Sequence, residues 1–251
     1  MNDTRPSLCL RCNKPLLTPN KFRPTIYCST TCRVAAHRRK KLLAARNDVG
    51  TDTTLGPWFD SLDALVSAVA AGAQEAFGTI YCDPPWRYNN HATRNSAAKQ
   101  YPTMTVDELA AMPVGKLAGS KSLLWLWTTV AFRLQAEALI KCWGFTFRSE
   151  LVWNKVNLGM GNHIRLQHET LLLANRGGLR PATRSLRSVI EEKRSRHSAK
   201  PERVRHLVEI NSPSPRLELF GRKRSVGWTT FGNQDQTRSD AHNAYVTKPA
   251  V

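Results

Sequence analysis

One short stretch of the sequence combines a carboxylate, two prolines and an aromatic ring. It is Asp83-Pro84-Pro85-Trp86, and it follows the apolar run Thr79-Ile80-Tyr81-Cys82. β-branched and aromatic residues followed by two prolines predict a strand that stops abruptly. Because proline has no N–H and a fixed φ, the loop presents rigid carbonyl acceptors beside one carboxylate. Acceptors closed by an aromatic face suit a planar group that bears an amine, as adenine does.

Further motifs follow this stretch in a fixed order. They are YPTM at 101–104, LWLWT at 124–128, LVWNK at 151–155, HSAKP at 197–201, LELFGR at 217–222, GW at 227–228 and GNQ at 232–234. One short motif recurs by chance, whereas an ordered set is specific. With DPPW, the set resembles the adenine-N6 methyltransferase family that includes the seventy-kilodalton MT-A subunit of the mRNA adenosine methyltransferase, over roughly residues 78–235.

The resemblance implies an S-adenosylmethionine-dependent enzyme in which Asp83, Pro84, Pro85 and Trp86 are catalytic. It also implies a permuted motif order, with DPPW before the cofactor segment. By resemblance, the cofactor is bound by Lys200, Arg222, Asn233 and Gln234, with Glu218 as a weaker candidate. Without the resemblance the cofactor cannot be deduced, because the sequence has no glycine-rich fingerprint of the familiar spacing.

Methylation of adenine explains why a carboxylate and a carbonyl are needed. The amino nitrogen is a poor nucleophile because its lone pair is delocalised into the ring. Hydrogen bonds from the amine to Asp83 and to a neighbouring backbone carbonyl would localise that lone pair towards the methyl donor, and alignment is the protein's main contribution. The proton then leaves to Asp83 or to water. Since the amine is inaccessible within a duplex, base flipping or a single-stranded substrate is implied.

The polar loop 87–100 follows the reactive corner and is predicted to close over a flipped base or to be an idle surface loop. Tyr88 and Asn89 are its predicted substrate-binding residues. Trp86, together with Tyr88, is expected to supply the stacking walls for the base.

Four cysteines near the start of the sequence have the spacing of a zinc site. They are Cys9, Cys12, Cys28 and Cys32. Paired cysteines separated by about fifteen residues are typical of tetrahedral zinc modules, and so short a segment needs a metal to stabilise it. Ser29 is predicted to cap a helix that starts between the last two cysteines. Two disulfides, or His37 in place of one cysteine, are the alternatives.

The formal net charge of +18 favours a polyanionic partner. Residues 1–50 carry a net +9 and residues 176–205 a net +7, so the charge is concentrated in two blocks. A solvated basic surface that binds nothing is the alternative. The first block resembles small zinc modules of prokaryotic nucleic-acid-handling proteins, and this resemblance favours DNA.

Alternating helices and strands predict an α/β fold, a Rossmann-like sheet with flanking helices, in which ligands bind at the carboxyl ends of strands. Helices are expected at 59–77, from Thr105, at 130–143 and at 201–211. In the third of these, Leu134, Ala138 and Cys142 are predicted to share a buried face.

The predicted domains are a zinc-binding module at 1–46, a linker at 47–57, a methyltransferase domain at 58–235 and a polar tail at 236–251.

The sequence therefore predicts an adenine-N6 methyltransferase that acts on DNA, with RNA as the alternative substrate. A catalytically idle nucleic-acid-binding regulator or partner subunit is the rival from another class, and cytosine is a less favoured target.

With no apolar run that could span a bilayer and no signal-peptide core, we expect no membrane partner and a cytoplasmic location. Whether the chain forms a homo- or hetero-oligomer is left open by its sequence.

Overall fold

The computed structural model describes residues 9, 16, 27–34, 54–88, 102–159, 163–183, 185–194 and 200–232. The chain divides into two compact units, residues 1–50 and 51–251. The predicted tail at 236–251, His37 and most of the loop 87–100 lie outside the described residues. Within those residues, no helix combines the length and apolar character that a bilayer crossing requires.

The larger unit is organised around one mixed sheet. Eight strands are described in it: β1 (Trp58–Phe59), β2 (Phe77–Cys82), β3 (Ala118–Thr128), β4 (Thr146–Asn154), β5 (His168–Arg176), β6 (Val189–Glu191), β7 (Arg216–Leu219) and β8 (Thr229–Phe231). Their order across the sheet is β1-β8-β7-β2-β3-β5-β4-β6. Neighbouring strands are parallel except that β5 runs antiparallel to both β3 and β4.

Strand β2 lies near the middle of the sheet, and all six of its residues are buried. Its last residue, Cys82, pairs with Leu126 of β3 and with Leu219 of β7. The carboxyl ends of these parallel strands therefore meet at one edge, where ligands bind in open α/β sheets. Asp83 is the first residue beyond that edge.

Helices cover both faces of the sheet. They are α1 (Leu62–Ala70), α2 (Val106–Ala111), α3 (Val114–Leu117), α4 (Arg133–Cys142) and α5 (Glu202–Asn211), with a 3-10 turn at Val130–Phe132. Alternate residues of β2 enter two apolar clusters, Ile80 with α1, α2 and α4, and Tyr81 with α5. The predicted α/β class, with a Rossmann-like sheet between helices, is confirmed.

Helix α2 begins as its sequence predicts. The Thr105 hydroxyl accepts a hydrogen bond from the Glu108 N–H at 3.2 Å, and the Glu108 carboxylate accepts one from the Thr105 N–H at 2.6 Å. This reciprocal capping box satisfies two backbone donors that the first helical turn leaves without partners.

The first predicted helix is shorter than expected. Phe59 lies in β1 and Phe77 opens β2, so only Leu62–Ala70 is helical. Ser61 caps the start through a hydrogen bond from the Ala64 N–H, and Gly72, with φ +72°, follows the end. Glycine adopts that left-handed conformation at little cost, which explains where the chain leaves the helix.

The predicted buried face of α4 is wrong. Leu134 is 79% exposed, and Ala138 and Cys142 are exposed as well. The buried side chains are instead Ala136, Leu139, Ile140 and Trp143, of which the last follows the helix. Both sets recur with helical spacing, so the sequence pattern alone does not distinguish them. Packing against the sheet selects the second set because it contains the bulkier side chains.

Candidate active site

The loop after β2 is fixed by backbone hydrogen bonds. The Trp86 N–H donates to the Pro84 carbonyl at 2.9 Å, and the Met104 N–H donates to the Pro85 carbonyl at 2.8 Å. The Arg87 N–H donates to the Met104 carbonyl in turn. The YPTM segment thus pairs with DPPW, and each proline carbonyl keeps a second lone pair for another donor.

Asp83 is paired with a residue that is distant in sequence. Its Oδ2 lies 2.6 Å from Nζ of Lys200, and its side chain remains 32% exposed. The same ammonium lies 3.3 Å from Oε2 of Glu169, whose Oε1 is 2.8 Å from Nζ of Lys155. The four side chains form a row of alternating charges, which we call the charge row, at the edge of the sheet where Asp83 lies.

The charge row shifts the ionisation of its members. Burial raises the pKa of Asp83 above its ordinary value, although the Lys200 ammonium opposes this shift. Burial opposes ionisation of Lys200 too, but the two carboxylates beside it raise its pKa. Burial would likewise raise the pKa of Glu169, yet Lys200 and Lys155 lower it. Lys200 is therefore protonated and positively charged. Of the two carboxylates beside it, Asp83 is protonated more easily than Glu169.

Trp86 is buried, with 5% of its surface exposed. Its ring stacks on Phe132, with centroids 4.9 Å apart and planes 12° apart, and its Nε1–H donates to the Trp127 carbonyl at 3.3 Å. One face of the indole is therefore covered by the protein itself. The sequence missed Phe132, because its position in a 3-10 turn after β3 carries no motif.

Tyr88 lies at the surface of this aromatic group. Its ring contacts Phe132 edge-on at 4.7 Å, and its hydroxyl is 2.7 Å from Oγ1 of Thr129. Tyr88 and Trp86 therefore both contact the same phenyl ring, Trp86 by stacking and Tyr88 edge-on. Asn89 lies outside the described residues.

Candidate cofactor residues lie at the same edge. Glu218 in β7 pairs in register with Tyr81 of β2, and its Oε2 accepts from Nη1 of Arg205 at 2.8 Å. Burial raises the pKa of Glu218, opposed by the Arg205 charge. Arg222 follows β7, and its charge acts to lower the pKa of Asp83. Asn233 and Gln234 lie outside the part of the chain that the structure describes.

Two glycines bring the cofactor-motif segments together. A Cβ at Gly232 would lie 1.9 Å from the Gly221 carbonyl oxygen, so any side chain there would clash with backbone. The LELFG motif and Gly232, the first residue of the GNQ motif, therefore meet backbone to backbone. Glu218 lies beside Gly221, and Arg222 follows it in the chain. A carboxylate and a guanidinium match the hydroxyl and charged groups of S-adenosylmethionine, so the residues present fit that cofactor.

The sequence did not single out Glu169 or Lys155 as site residues. Lys155 belongs to the LVWNK motif, and Glu169 is the one carboxylate in β5, directly before an apolar core of that strand, which was the available signal. Their pairing depends on the register of β4 against β5, where Trp153 lies opposite Glu169.

A separate cysteine cluster lies in the smaller unit. The sulfur atoms of Cys9, Cys28 and Cys32 lie within 4.8 Å of one another, and Cys12 is outside the described residues. Sγ of Cys28 is 3.5 Å from Sγ of Cys32, well beyond a disulfide bond of about 2.05 Å. Three convergent thiols fit a zinc ion, which binds thiolates tetrahedrally.

The local helix start agrees with its prediction. The Ser29 hydroxyl accepts from the Cys32 N–H at 3.2 Å, and residues 30–34 are helical. The predicted cap at Ser29 is confirmed. It places Cys28 just before the cap and Cys32 at the third helical residue, with the two sulfur atoms 3.5 Å apart.

Comparison with known proteins matches the chain to the MT-A70 family over residues 77–234. The chain is 28% identical to the type II methyltransferase M.MunI of a Mycoplasma species, a match that covers 63% of this chain and 78% of that protein. It is 28% identical to an N(6)-adenosine-methyltransferase MT-A70-like protein of Drosophila melanogaster, over 78% of this chain and 33% of that protein.

A third relative is the N(6)-adenine-specific methyltransferase METTL4 of Mus musculus, which is 24% identical over 64% of this chain and 38% of its own length. The chain thus spans most of M.MunI but only 33% of the Drosophila relative and 38% of METTL4. The resemblance drawn from the motifs is confirmed, and the relatives' names support an adenine-N6 methyltransferase. The chain belongs to the MT-A70 family.

Proposed function

We propose that this protein transfers a methyl group from S-adenosylmethionine to the N6 amine of adenine in DNA. The observation that carries the proposal is the position of Asp83 in a chain that belongs to the MT-A70 family. Its carboxylate lies beyond the carboxyl end of a central buried strand, beside two fixed proline carbonyls and 2.6 Å from a lysine ammonium.

Asp83 and its neighbours would orient the amine. An ionised carboxylate has about four lone-pair sites, so Asp83 can accept an amine hydrogen while it remains paired with Lys200. A free lone pair of a proline carbonyl would accept the second hydrogen. Both bonds direct the nitrogen lone pair out of the ring plane, towards the incoming carbon, at a separation of about 3–3.5 Å.

S-adenosylmethionine, when bound, supplies a methyl group already activated on a sulfonium. In the proposed transfer the carbon–sulfur bond would break as the nitrogen–carbon bond forms, and its electron pair would stay on sulfur. The methylated nitrogen is cationic and acidic, and it loses its proton to Asp83 or to water. Because burial raises the pKa of Asp83, this carboxylate is a better proton acceptor than an exposed aspartate.

The cofactor site would consist of Lys200, Arg222, Asn233 and Gln234, with Glu218 beside them. The charge of Asp83 interacts with those of Arg222 and Glu218, so both residues are close to it. Their closeness supports a binding site for the methyl donor near the amine. The contact between Lys200 and Asp83 gives this lysine a second role. It positions the catalytic carboxylate and keeps it ionised.

The substrate side would be formed by Tyr88 and Asn89 around the catalytic Asp83, Pro84, Pro85 and Trp86. Because Trp86 is stacked on Phe132, its proposed role is to hold the loop and one wall of the pocket rather than to intercalate freely. Tyr88, at the exposed end of the same aromatic group, is the better candidate for stacking on the base.

Residues 1–46 would form a zinc-binding module that holds the polynucleotide, joined by a linker at 47–57 to the methyltransferase domain at 58–235, with a polar tail at 236–251. Cys9, Cys12, Cys28 and Cys32 would bind the ion. The net charge of +9 over residues 1–50 supports contact with phosphates. Zinc-binding thiols are compatible with a reducing cytoplasmic location.

RNA is the second candidate substrate. The Drosophila relative is named as an adenosine methyltransferase, and its match covers the largest share of this chain among the three relatives described. The reacting amine is identical in both nucleic acids, so the catalytic corner does not distinguish them.

Labelled methyl transfer tests the proposal. The protein would be incubated with labelled S-adenosylmethionine and with duplex DNA, single-stranded DNA or RNA of one sequence, and the digested nucleosides identified by mass. Label in N6-methyldeoxyadenosine is the expected result. Label only in the ribonucleoside would assign the RNA alternative, and binding of all three without transfer would assign a catalytically idle protein.

A further inference from the structure

The segment between β4 and β5 continues as a paired hairpin beyond the sheet. The Lys155 N–H donates to the Gln167 carbonyl at 2.7 Å, and the Gly159 N–H donates to the Leu166 carbonyl at 2.9 Å. Strand β4 runs in the same direction as β2, since each is linked to the other through β3 and the antiparallel β5. The hairpin therefore rises from the edge at which Asp83 lies.

The root of this hairpin is held in an unusual conformation. Val156 has φ +66°, which is a genuine outlier for a β-branched residue. Its N–H donates to Oδ1 of Asn154 at 2.9 Å, and its carbonyl accepts from Nε2 of Gln167 at 2.9 Å. Side chains from both arms thus maintain a strained turn, which is a feature of segments whose direction matters for function.

The hairpin is also tied to the catalytic carboxylate. Lys155 at its root is paired with Glu169, and the charge row continues through Lys200 to Asp83. Its position relative to the reactive corner is therefore fixed by three ion pairs in succession.

Two large apolar side chains project from the hairpin into solvent. Leu158 is 62% exposed and Ile164 is 74% exposed. Residues 155–167 contain Lys155 and Arg165 and no acidic residue, with His163 beside Ile164. Lys155 is already paired with Glu169, so the cation available beside these two side chains is Arg165. Apolar side chains next to a cation match a polyanion with an apolar interior, which is what stacked bases inside a phosphate backbone provide.

We propose that Leu158 and Ile164 form a wedge that enters the base stack and fills the space left by the flipped adenine. The inference rests on the proposed function, since extrusion of a base leaves a gap that apolar side chains stabilise in other unstacked duplexes. Leu158 follows the turn at Val156, in which the Asn157 N–H donates to the Lys155 carbonyl at 2.7 Å.

The wedge is required for duplex substrate and dispensable for a single strand, and this difference gives the test. The variant Leu158→Ala/Ile164→Ala would be compared with wild type on duplex and single-stranded DNA that contain a site methylated by the wild type. The duplex rate should fall by about tenfold or more, whereas the single-strand rate should change less than about twofold. Leu55→Ala is the matched control, because Leu55 is also exposed, at 48%, and precedes β1 at the other margin of the sheet.

A second readout is independent of methyl transfer. With 2-aminopurine at the target position of the duplex, wild type and Leu55→Ala should raise its fluorescence on binding, and the double variant should bind without that rise. Equal duplex rates for wild type and double variant would overturn the wedge while leaving the proposed function intact. So would a wild type that methylates single strands only.

An equal loss on both substrates, together with loss of an oligomer in sedimentation, would assign the hairpin to a protein interface and overturn the wedge. A wild type that transfers no methyl group to any nucleic acid would overturn the proposed function itself. The wedge, which depends on that function, would be rejected with it.

Discussion

The ammonium nitrogen of Lys200 lies 2.6 Å from the carboxylate of Asp83, although 117 positions separate the two residues in the sequence. The pair joins the DPPW loop after β2 to the segment that opens α5. Glu169 and Lys155 extend it into the charge row. Burial raises the pKa of Asp83, the residue that would receive the amine hydrogen, while Lys200 lowers it and Glu169 raises it, and these effects have consequences that can be measured.

Lys200→Met should shift the acid limb of the pH–rate profile to higher pH. Burial raises the pKa of Asp83 and Lys200 opposes this shift, so removal of the ammonium raises the pKa further. The ionised carboxylate, which in the proposed mechanism accepts the amine hydrogen, is then formed only at higher pH. Rates measured at saturating cofactor separate this effect from weaker cofactor binding. Lys141→Met, at an exposed position, serves as the control and should keep the wild-type profile.

Glu169→Gln should produce the opposite shift. The negative charge of Glu169 contributes to the raised pKa of Asp83, so its loss lowers that pKa and extends activity to lower pH. Glu150→Gln is a suitable comparison, because Glu150 is an exposed strand carboxylate paired with Arg133 rather than with the charge row. Shifts of the same sign for Lys200→Met and Glu169→Gln would show that Asp83 is not the group that limits the rate at low pH.

Trp86 should contribute strongly to stability. Trp86→Ala removes a buried ring stacked on Phe132 and should lower the free energy of unfolding by about 3–5 kcal/mol. Trp86→Phe keeps an aromatic ring and loses the hydrogen bond to the Trp127 carbonyl. Most of the free energy of unfolding that Trp86 contributes should therefore remain in this variant. Urea unfolding followed by tryptophan fluorescence reports on the larger unit alone, because all seven tryptophans lie within it. Equal stability of wild type and Trp86→Ala would contradict the observed packing.

The cysteine cluster should hold one zinc ion per chain. Metal analysis of reduced protein should find zinc in the wild type and none in Cys9→Ser/Cys12→Ser, because two thiolates do not complete a tetrahedral site. Cys142→Ser, in the larger unit, should retain the metal. Wild-type protein that is free of metal after purification under reducing conditions would refute the zinc assignment.

The central strands and the reactive corner were predictable from sequence because their signals are local. Strand β2 is a continuous apolar run that two prolines end, and the following carboxylate therefore has a defined place at the strand's carboxyl end. The capping residues Thr105 and Ser29 act within one helical turn and were predictable for the same reason.

The remaining features depend on packing and register. Leu134 and Leu139 each have apolar residues at helical spacing, so the sequence pattern is the same for both. Only contact with the sheet decides which of the two side chains is buried. The partner of Asp83 depends on where the chain returns after β6, which no local pattern encodes. Trp86 was expected to face the substrate, but a phenyl ring from the turn after β3 covers one of its faces.

The rate of methyl transfer by Asp83→Ala, beside wild type, tests the account most directly. Both proteins would receive the same labelled cofactor and the same DNA, and their folding would be compared by urea unfolding. The account predicts that a folded Asp83→Ala protein loses transfer to N6 of adenine by about a hundredfold or more, the usual contribution of a positioned acceptor. Incorporation at the wild-type rate would contradict it.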